Sequence, residues 1–472
     1  MSNLVFYDFE TCSSNVSYGQ IIQAGAVLVN DNFQELDLYD GRCKLSPGVV
    51  PEAMALLVNK TTPKMLKETN LSHYQMIRQL VDKFKEWKNS IFIGWNNINF
   101  DQEFLRRTLF KNLEYPYLTN TNGNESGDLF SLARACHLYY PHCIKTPISD
   151  KNNPVFKLEK LAPMNDIKHN EAHSAIGDVL ATIEIAKLLN KKAPNVWKAS
   201  LMTTNKDKSF QLIKEEQLFC TDFFYYGKSI PFVLTFVCQH LQWGYPMCFD
   251  LKADPTHYFN LSIQALKKEL DKKPKIIRTI KHKKHPIIMN PSYGMNFDNY
   301  KQLGINKLKE RAKLVRENKE FAKKISTILD DDARERQELD SQMDIYPEES
   351  IYKKFTLDHD NKLMPTFHNA DWKDKFSILQ RFKDERMQYF GKKILYEESP
   401  QSLPKEEYNS VHKEIALRIL STNEENWNTV PRTYSEIDTL RNKFKDDKEK
   451  LKTLQDINLY IEEMEELYQK AS

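Results

Sequence analysis

The sequence lacks the features that mark secreted, membrane-spanning and zinc-bound proteins. No run of apolar residues reaches the roughly 18 that a membrane span needs, and the first residues, MSNLVFYDFE, show no basic segment followed by an apolar stretch. The seven cysteines are scattered, and no Cys-x-x-Cys occurs, which argues against a zinc site and a disulfide framework. We therefore expect a soluble, cytoplasmic protein with reduced thiols and no membrane association.

A strong excess of charge is also absent. The formal net charge is only +3 over 472 residues, so any nucleic-acid-binding surface must be local. The strongest basic run lies between Lys267 and Lys284, where nine lysines and arginines are opposed only by Glu269 and Asp271. A solvated helix and turn would explain this run equally well.

Hydrophobic patterning divides the chain into three parts. Residues 1–193 hold a first strand, a hairpin, a second buried strand and several helical segments, which predicts a mixed α/β sheet covered by helices. Residues 194–345 begin with aromatic and β-branched runs separated by turn signals, which predicts a small β-barrel or sandwich with a helix after it. Residues 346–472 repeat apolar residues at helical spacing, and the acidic stretch 330–350 is interpreted as a linker before them.

The first strand carries two acids in an unusual setting. In VFYDFET, Asp8 and Glu10 lie among strand-forming residues, and residues i and i+2 of a strand point to the same face. Buried like charges repel, so something must compensate for them. An edge strand with two acids on its solvent side is the commoner explanation, and a cation site is the sharper alternative.

Two further acids follow later in the chain. Asp101 comes after a buried strand and a polar loop in IGWNNINFDQEF, near the start of a helix. Asp178 lies beside apolar residues on the helix of HNEAHSAIGDVLATIEIA. Taken singly, Asp101 is explained as a helix-start acid and Asp178 as a solvated residue at the edge of an apolar stripe.

Taken together, these motifs resemble the DEDD superfamily of 3′→5′ exonucleases, in its His subclass. FYDFET, GWNNINFDQEFL and EAHSAIGDVLATIEIA occur in that family's order, Asp-x-Glu, then Asp, then His-x4-Asp. Longer stretches, among them DLFSLARAC and LGINKLKERAKLVREN, are similar to bacterial exonuclease I. The resemblance implies a ribonuclease H-like nuclease domain over 1–193, an SH3-like β domain with a following helix over 194–345, and a helical C-terminal domain over 346–472.

The resemblance also implies a site for two Mg²⁺ ions, for which Mn²⁺ can substitute. Oxygen-only ligands suit these hard cations, and two ions can clamp the attacking and leaving oxygens of a phosphodiester. By the resemblance, Asp8, Glu10 and Asp178 hold the first ion. Asp8, with Asp101 directly or through water, holds the second.

His173 is the expected general base. An imidazole titrates near neutral pH and can take a proton from the attacking water. Without the His-x4-Asp spacing, a lone histidine near a helix start is more often a surface residue with no catalytic role. His169 and His137 are expected to be structural.

A nuclease that works from a 3′ end must hold single-stranded DNA with cations on phosphates and aromatic faces under bases. Position 157 is lysine where we expect arginine in better-known members, and lysine lacks the planar, two-pronged geometry for phosphate. Phe9 is placed to abut the terminal nucleotide, or alternatively belongs to the core. The implied substrate-binding residues are Glu10, Phe9, Arg106, Tyr117, Arg134, Lys157, Lys283 and Lys284.

These observations predict a Mg²⁺-dependent exonuclease that degrades single-stranded DNA from its 3′ end to 5′-mononucleotides. Two alternatives stay open: another exonuclease of the same subclass, such as a proofreading subunit or an exoribonuclease, and a catalytically dead nucleic-acid-binding scaffold. The resemblance further implies a monomer that acts in DNA repair and recombination. It also implies binding to the C-terminal tail of the single-stranded DNA-binding protein.

Overall fold

The computed structural model describes residues 2–169, 173–340 and 346–469. In chain order, these residues form a mixed five-stranded sheet with helices, a smaller antiparallel sheet with helices, and a helical region. This order confirms the predicted fold class. No helix within the described ranges is long and apolar enough to cross a membrane.

The first sheet has the strand order β3-β2-β1-β4-β5, so β1 is central. β1 pairs antiparallel with β2 and parallel with β4, and β4 pairs parallel with β5. The predicted hairpin is confirmed as β2 and β3. The strands are β1 (Leu4–Thr11), β2 (Ile21–Val29), β3 (Glu35–Arg42), β4 (Ile91–Gly94) and β5 (Glu125–Asp128).

Helices cover both faces of this sheet because alternate residues of β1 point in opposite directions. Phe6 belongs to the core under α5 and α7, whereas Tyr7 and Phe9 belong to the core under α3 and α4. The predicted α3 begins at a capping box between Ser72 and Gln75. The helices are α1 (Ala53–Val58), α2 (Pro63–Glu68), α3 (His73–Glu86), α4 (Asp101–Lys111), α5 (Leu129–Tyr139), α6 (Leu158–Met164) and α7 (Ala175–Lys192).

The second sheet is antiparallel, in the order β6-β7-β8-β9. It confirms the small β region predicted after residues 1–193, which are called the nuclease region because of the resemblance described above. Its strands are β6 (Phe219–Tyr225), β7 (Lys228–Gln239), β8 (Pro246–Asp250) and β9 (Ile277–Thr279). The accompanying helices are α8 (Pro194–Leu201), α9 (Lys206–Glu215), α10 (Thr256–Phe259), α11 (Ile263–Asp271), α12 (Asp298–Lys301), α13 (Gly304–Glu317) and α14 (Lys319–Asp340).

The acidic stretch 330–350 is not a linker over its first half, because α14 continues to Asp340. The chain has no proline or glycine between 330 and Pro347, and the side chain of Ala333 is buried. Helix formers with a buried contact therefore continue the helix despite their acidity. Residues 341–345 lie outside the described residues, and the domain boundaries at 193 and 345 stay predictions.

The C-terminal helices pack directly on the nuclease region. One hydrophobic cluster contains Leu56 and Phe110 of the nuclease region together with Phe390 and Ile415. The rings of Phe110, on α4, and Phe390 lie 5.4 Å apart, edge to face. The helices are α15 (Asp358–Asn369), α16 (Trp372–Leu379), α17 (Glu385–Glu398), α18 (Lys405–Ile419), α19 (Val430–Lys443) and α20 (Lys448–Gln469).

Candidate active site

Three carboxylates converge near the carboxyl end of β1. One oxygen from each of Asp8, Glu10 and Asp178 lies within 4.8 Å of the other two. The strand period places Asp8 and Glu10 on one face, as predicted, and the first turn of α7 supplies Asp178. Such a group of oxygen ligands fits a hard divalent cation.

A glycine in β2 lets α7 come this close. Gly25 pairs with Asp8 across the sheet. A Cβ atom at this position would lie only 2.6 Å from the backbone nitrogen of Ile176 and 2.7 Å from the carbonyl carbon of Ala175. A larger residue at position 25 would therefore push the start of α7, and Asp178 with it, away from the strand acids.

Asp101 is the first residue of α4 and is buried. β4 runs parallel to β1, so the loop after β4 emerges at the edge of the sheet where β1 ends. The Oδ1 atom of Asp101 accepts a hydrogen bond from the backbone amide of Phe9, at 3.2 Å. The fourth predicted acid is thereby tied to the strand segment between the first two.

The acids share one electrostatic environment. Burial, reinforced by Asp101, Asp178 and Glu10, raises the pKa of Asp8 well above its usual value. Burial and the neighbouring Asp178 raise the pKa of Glu10 to about 8. Burial raises the pKa of Asp101 to about 7. Several carboxyls with raised pKa values in one place are typical of a site that binds a cation.

Phe9 points away from the two acids that flank it. Its ring is 4 % exposed and lies 5.4 Å from the ring of Tyr7, in the core under α3 and α4. The structure therefore favours the core alternative over a contact with the terminal nucleotide. The part of Phe9 that serves the site is its backbone amide, which holds Asp101.

Both histidines that precede α7 lie near Asp178. The backbone amide of His173 donates to Asp178 Oδ1 at 3.3 Å, and its Nε2 lies 3.3 Å from Glu159 Oε2. Nε2 of His169 lies 2.5 Å from the same Asp178 oxygen, and its side chain is 2 % exposed. Residues 170–172, between them, are outside the described residues. Sequence reasoning left His169 as a structural residue, and no feature of its spacing indicated this contact.

Two of the predicted DNA-binding arginines lie against aromatic rings. The Arg106 guanidinium lies 5.4 Å from the ring centroid of Tyr117. The Arg134 guanidinium lies between two rings, 4.8 Å from Phe130 and 4.4 Å from Phe224 of β6. The second contact joins the nuclease region to the small sheet and was not visible in the sequence.

The predicted lysines are distributed around the same region. Nζ of Lys284 donates to Asn99 Oδ1 at 2.9 Å, in the loop just before Asp101. Nζ of Lys283 lies 5.8 Å from the ring centroid of Tyr245. Lys157 is exposed and precedes α6. Other lysines of the basic run pair with acids, as Lys267 does with Asp332 at 2.7 Å.

A cavity of roughly 700 Å³ is lined by residues of both sheet regions. From the nuclease region it is lined by Asn99 and Arg134, and from the small sheet by Phe224, Arg278 and Lys284. Cationic and aromatic side chains, together with the carboxylates of Asp222, Asp271 and Asp332, therefore line a space that adjoins the loop leading to Asp101.

The C-terminal region also contacts α4, the helix that begins at Asp101. The Tyr352 hydroxyl donates to Glu103 Oε2 at 2.6 Å, and the Arg107 guanidinium lies 5.5 Å from the Tyr352 ring centroid. Glu103 is in turn paired with Arg106 at 3.0 Å. Sequence analysis missed this contact, which joins positions 249 residues apart.

Two family models match this chain. One, described as Exonuclease, covers residues 5–186, and the other, described as Exonuclease I C-terminal domain, covers residues 345–464. The curated relatives include Exodeoxyribonuclease I of Buchnera aphidicola from Schizaphis graminum, 32 % identical over 46 % of this chain and 45 % of the relative. Exodeoxyribonuclease I of Escherichia coli is 29 % identical over 46 % of each chain. The aligned part thus spans about half the length of the curated relatives.

Solved structures match over nearly the whole chain. Exonuclease I from Methylocaldum szegediense superposes with a TM-score of 0.83 at 20 % identity, over 98 % of this chain and all of the other. Escherichia coli exonuclease I in complex with a dA16 oligonucleotide gives 0.82 at 20 % identity over the same shares. These structures establish a common fold. The Exonuclease model at one end and the Exonuclease I C-terminal model at the other confirm the predicted resemblance to bacterial exonuclease I.

Proposed function

We propose that this protein is a 3′→5′ exonuclease that hydrolyses single-stranded DNA to 5′-mononucleotides with Mg²⁺. The observation that carries the proposal is the convergence of Asp8, Glu10 and Asp178, with Asp101 hydrogen-bonded to the strand between the first two. The names of the curated relatives support the choice of DNA over RNA.

The carboxylates fit a site for divalent cations. Asp8, Glu10 and Asp178 would hold one ion, and Asp8 with Asp101 a second. Bound ions of this kind acidify a water molecule and neutralise charge on the phosphate and leaving oxygen. Oxygen-only ligands favour Mg²⁺, with Mn²⁺ as a substitute, over softer metals.

His173 is proposed as the general base that takes the proton of the attacking water. Its φ of 68° lies in the left-handed region, which non-glycine residues rarely adopt and which is enriched at functional sites. Glu159, 3.3 Å from its Nε2, would stabilise the imidazolium that forms. His169 would orient Asp178 through their hydrogen bond.

The cavity between the two sheet regions is proposed to hold the DNA strand. Phosphates within the cavity would be neutralised by Arg134 and Lys284, which line it. Phosphates outside it would be neutralised by Arg106, Lys157 and Lys283. Lys284 is the best placed of them, because its hydrogen bond to Asn99 holds it beside the loop that leads to Asp101.

A partner and a cellular role are proposed by similarity. One of the matching structures is a complex of the single-stranded DNA-binding protein with exonuclease I and an inhibitor. We propose that this chain binds the acidic C-terminal tail of the single-stranded DNA-binding protein, and that it works as a monomer in DNA repair and recombination.

The test is a cleavage assay with matched 5′-labelled single-stranded DNA, duplex DNA and RNA in Mg²⁺. The native protein should shorten single-stranded DNA from its 3′ end, and Asp8→Ala and His173→Ala should not. Faster digestion of RNA would identify an exoribonuclease instead. Binding of all three substrates without cleavage would identify a scaffold.

A further inference from the structure

We infer that the tip of the β6–β7 hairpin is a base-stacking element that holds the DNA strand along the cavity between the two sheet regions. The tip consists of Phe224, Tyr225 and Tyr226. This inference rests on the proposed function and adds residues to its binding site that no sequence motif indicated.

The turn itself is built against local preference. Tyr225 pairs with Lys228, so Tyr226 and Gly227 form a two-residue loop, with φ of 52° and 81°. Both central positions of such a turn need positive φ, and asparagine followed by glycine is the favoured pair. Tyr226 instead places an aromatic side chain in this strained conformation, at 95 % exposure. Among the described residues, the Tyr226 side chain gains almost no burial in return, which indicates a role outside the folded core.

The tip presents more than one ring. The rings of Phe223 and Tyr225 are stacked, with an interplanar angle of 6° and centroids 5.9 Å apart. Phe224 points to the other side of the strand and lies against the guanidinium of Arg134. Phe224 and Tyr225 both line the cavity that also contains Lys284. Aromatic rings and cations thus share the lining of one cavity, which is a combination that binds unpaired strands.

The hairpin tip is fastened to the nuclease region. Nδ2 of Asn153 donates to the carbonyl oxygen of Tyr226 at 2.9 Å. A Cβ atom on Gly227 would lie 2.7 Å from the same Nδ2 atom, so only glycine allows this contact. Because the backbone of the turn is held by a residue of the nuclease region, the turn itself loses little freedom when a base stacks on its rings.

The ligand that fits this surface is a single strand with unpaired bases. Every base has an aromatic face, so stacking here would be tolerant of sequence. Paired bases are already stacked in a duplex and offer no free face to the tip. The hairpin would therefore contribute to the preference for single strands as well as to affinity.

The experiment measures binding in a cleavage-inactive Asp8→Asn parent by fluorescence anisotropy of a labelled dT oligonucleotide. Tyr226→Asn should weaken binding about 5- to 150-fold, as expected for the loss of one stacked base. Because asparagine suits this turn, the melting temperature of Tyr226→Asn should equal or exceed that of the parent. Tyr226→Phe should bind like the parent. Leu241→Ala is the matched control, since Leu241 is 69 % exposed in the turn at the opposite end of β7.

An oligonucleotide of abasic sites separates stacking from phosphate contacts. Tyr226→Asn and the parent should bind it equally, because no base is present to stack. Parental affinity of Tyr226→Asn for the dT oligonucleotide would overturn the inference, as would an equal loss on the abasic strand. If either of these results is obtained and the native protein still cuts single-stranded DNA, the inference about the hairpin tip is wrong and the proposed function is unaffected. A native protein that neither cuts nor binds single strands refutes both.

Discussion

In metal-free buffer, a rise in pH from 6.5 to 8 should destabilise the protein, and Mg²⁺ should reverse the effect. Burial, with Asp178 and Asp101 nearby, raises the pKa of Glu10 from 4.5 to about 8. A carboxyl with a raised folded-state pKa holds its proton more tightly in the native state. Its contribution to stability is therefore complete below about pH 4.5 and is lost as the pH rises towards 8.

The size of the effect follows from this pKa. Between pH 6.5 and 8, Glu10 is ionised in the unfolded chain and largely protonated in the native one. At about 1.4 kcal/mol per pH unit, this carboxyl removes about 2 kcal/mol of stability over the window. For a unit of 150–250 residues, this corresponds to a fall of about 4–8 °C in melting temperature. Buried histidines with lowered pKa, such as His73 and His368, act below pH 6.5. Asp101, whose pKa burial raises to about 7, adds to the fall within the window, so the contribution of Glu10 is the difference between the native protein and Glu10→Gln.

Thermal melts in EDTA at pH 6.5 and 8 test this expectation on the native protein and on Glu10→Gln. The melting temperature of the native protein should be lower at pH 8 than at pH 6.5. The corresponding decrease in Glu10→Gln should be smaller by about 4–8 °C. Addition of Mg²⁺ at pH 8 should raise the native midpoint. Parallel falls in both proteins would refute the assignment of the effect to Glu10. If neither Mg²⁺ nor Mn²⁺ changes the melting temperature of the native protein at pH 8, the cation site is refuted.

Three further outcomes are expected. Gly25→Ala should lower stability by about 1–3 kcal/mol through overpacking against α7, and should reduce cleavage at saturating Mg²⁺ because Asp178 is displaced; a native rate would contradict the close approach. His173→Ala should lower kcat by about 10²–10⁴-fold with little change in Mg²⁺ dependence, whereas His169→Ala should chiefly raise the Mg²⁺ concentration needed for half-maximal rate. Lys284→Ala should weaken single-strand binding and reduce the slope of log K against log salt by about 0.7, the value for one phosphate contact.

The parts of the site that depend on local geometry could be predicted from the sequence. The two-residue period of β1 placed Asp8 and Glu10 on one face. The same period places Phe9 on the opposite face, so its position in the core also follows from the strand. Asp101 and Asp178 required the resemblance, because their approach depends on the parallel pairing of β1 with β4 and on the contact at Gly25.

Contacts between distant parts of the chain could not be predicted. The hydrogen bond from Tyr352 to Glu103 and the one from Asn153 to Tyr226 join different regions, and neither leaves a pattern within a sequence window. The extent of α14 was misjudged for a related reason. Its acidic composition is typical of a linker, whereas the buried contact of Ala333 that favours a helix is tertiary.

The shared cluster of Leu56, Phe110, Phe390 and Ile415 bears on how the protein is made. The ribosome synthesises β1–β5 first. The helices that cover α4 follow some 280 residues later, which is the separation of Phe110 from Phe390. Until those helices dock, the nascent nuclease region exposes part of its interior, and α4 lacks its outer support. Burial of this cluster is thereby delayed until synthesis is well advanced, so a prematurely terminated chain would be prone to aggregate.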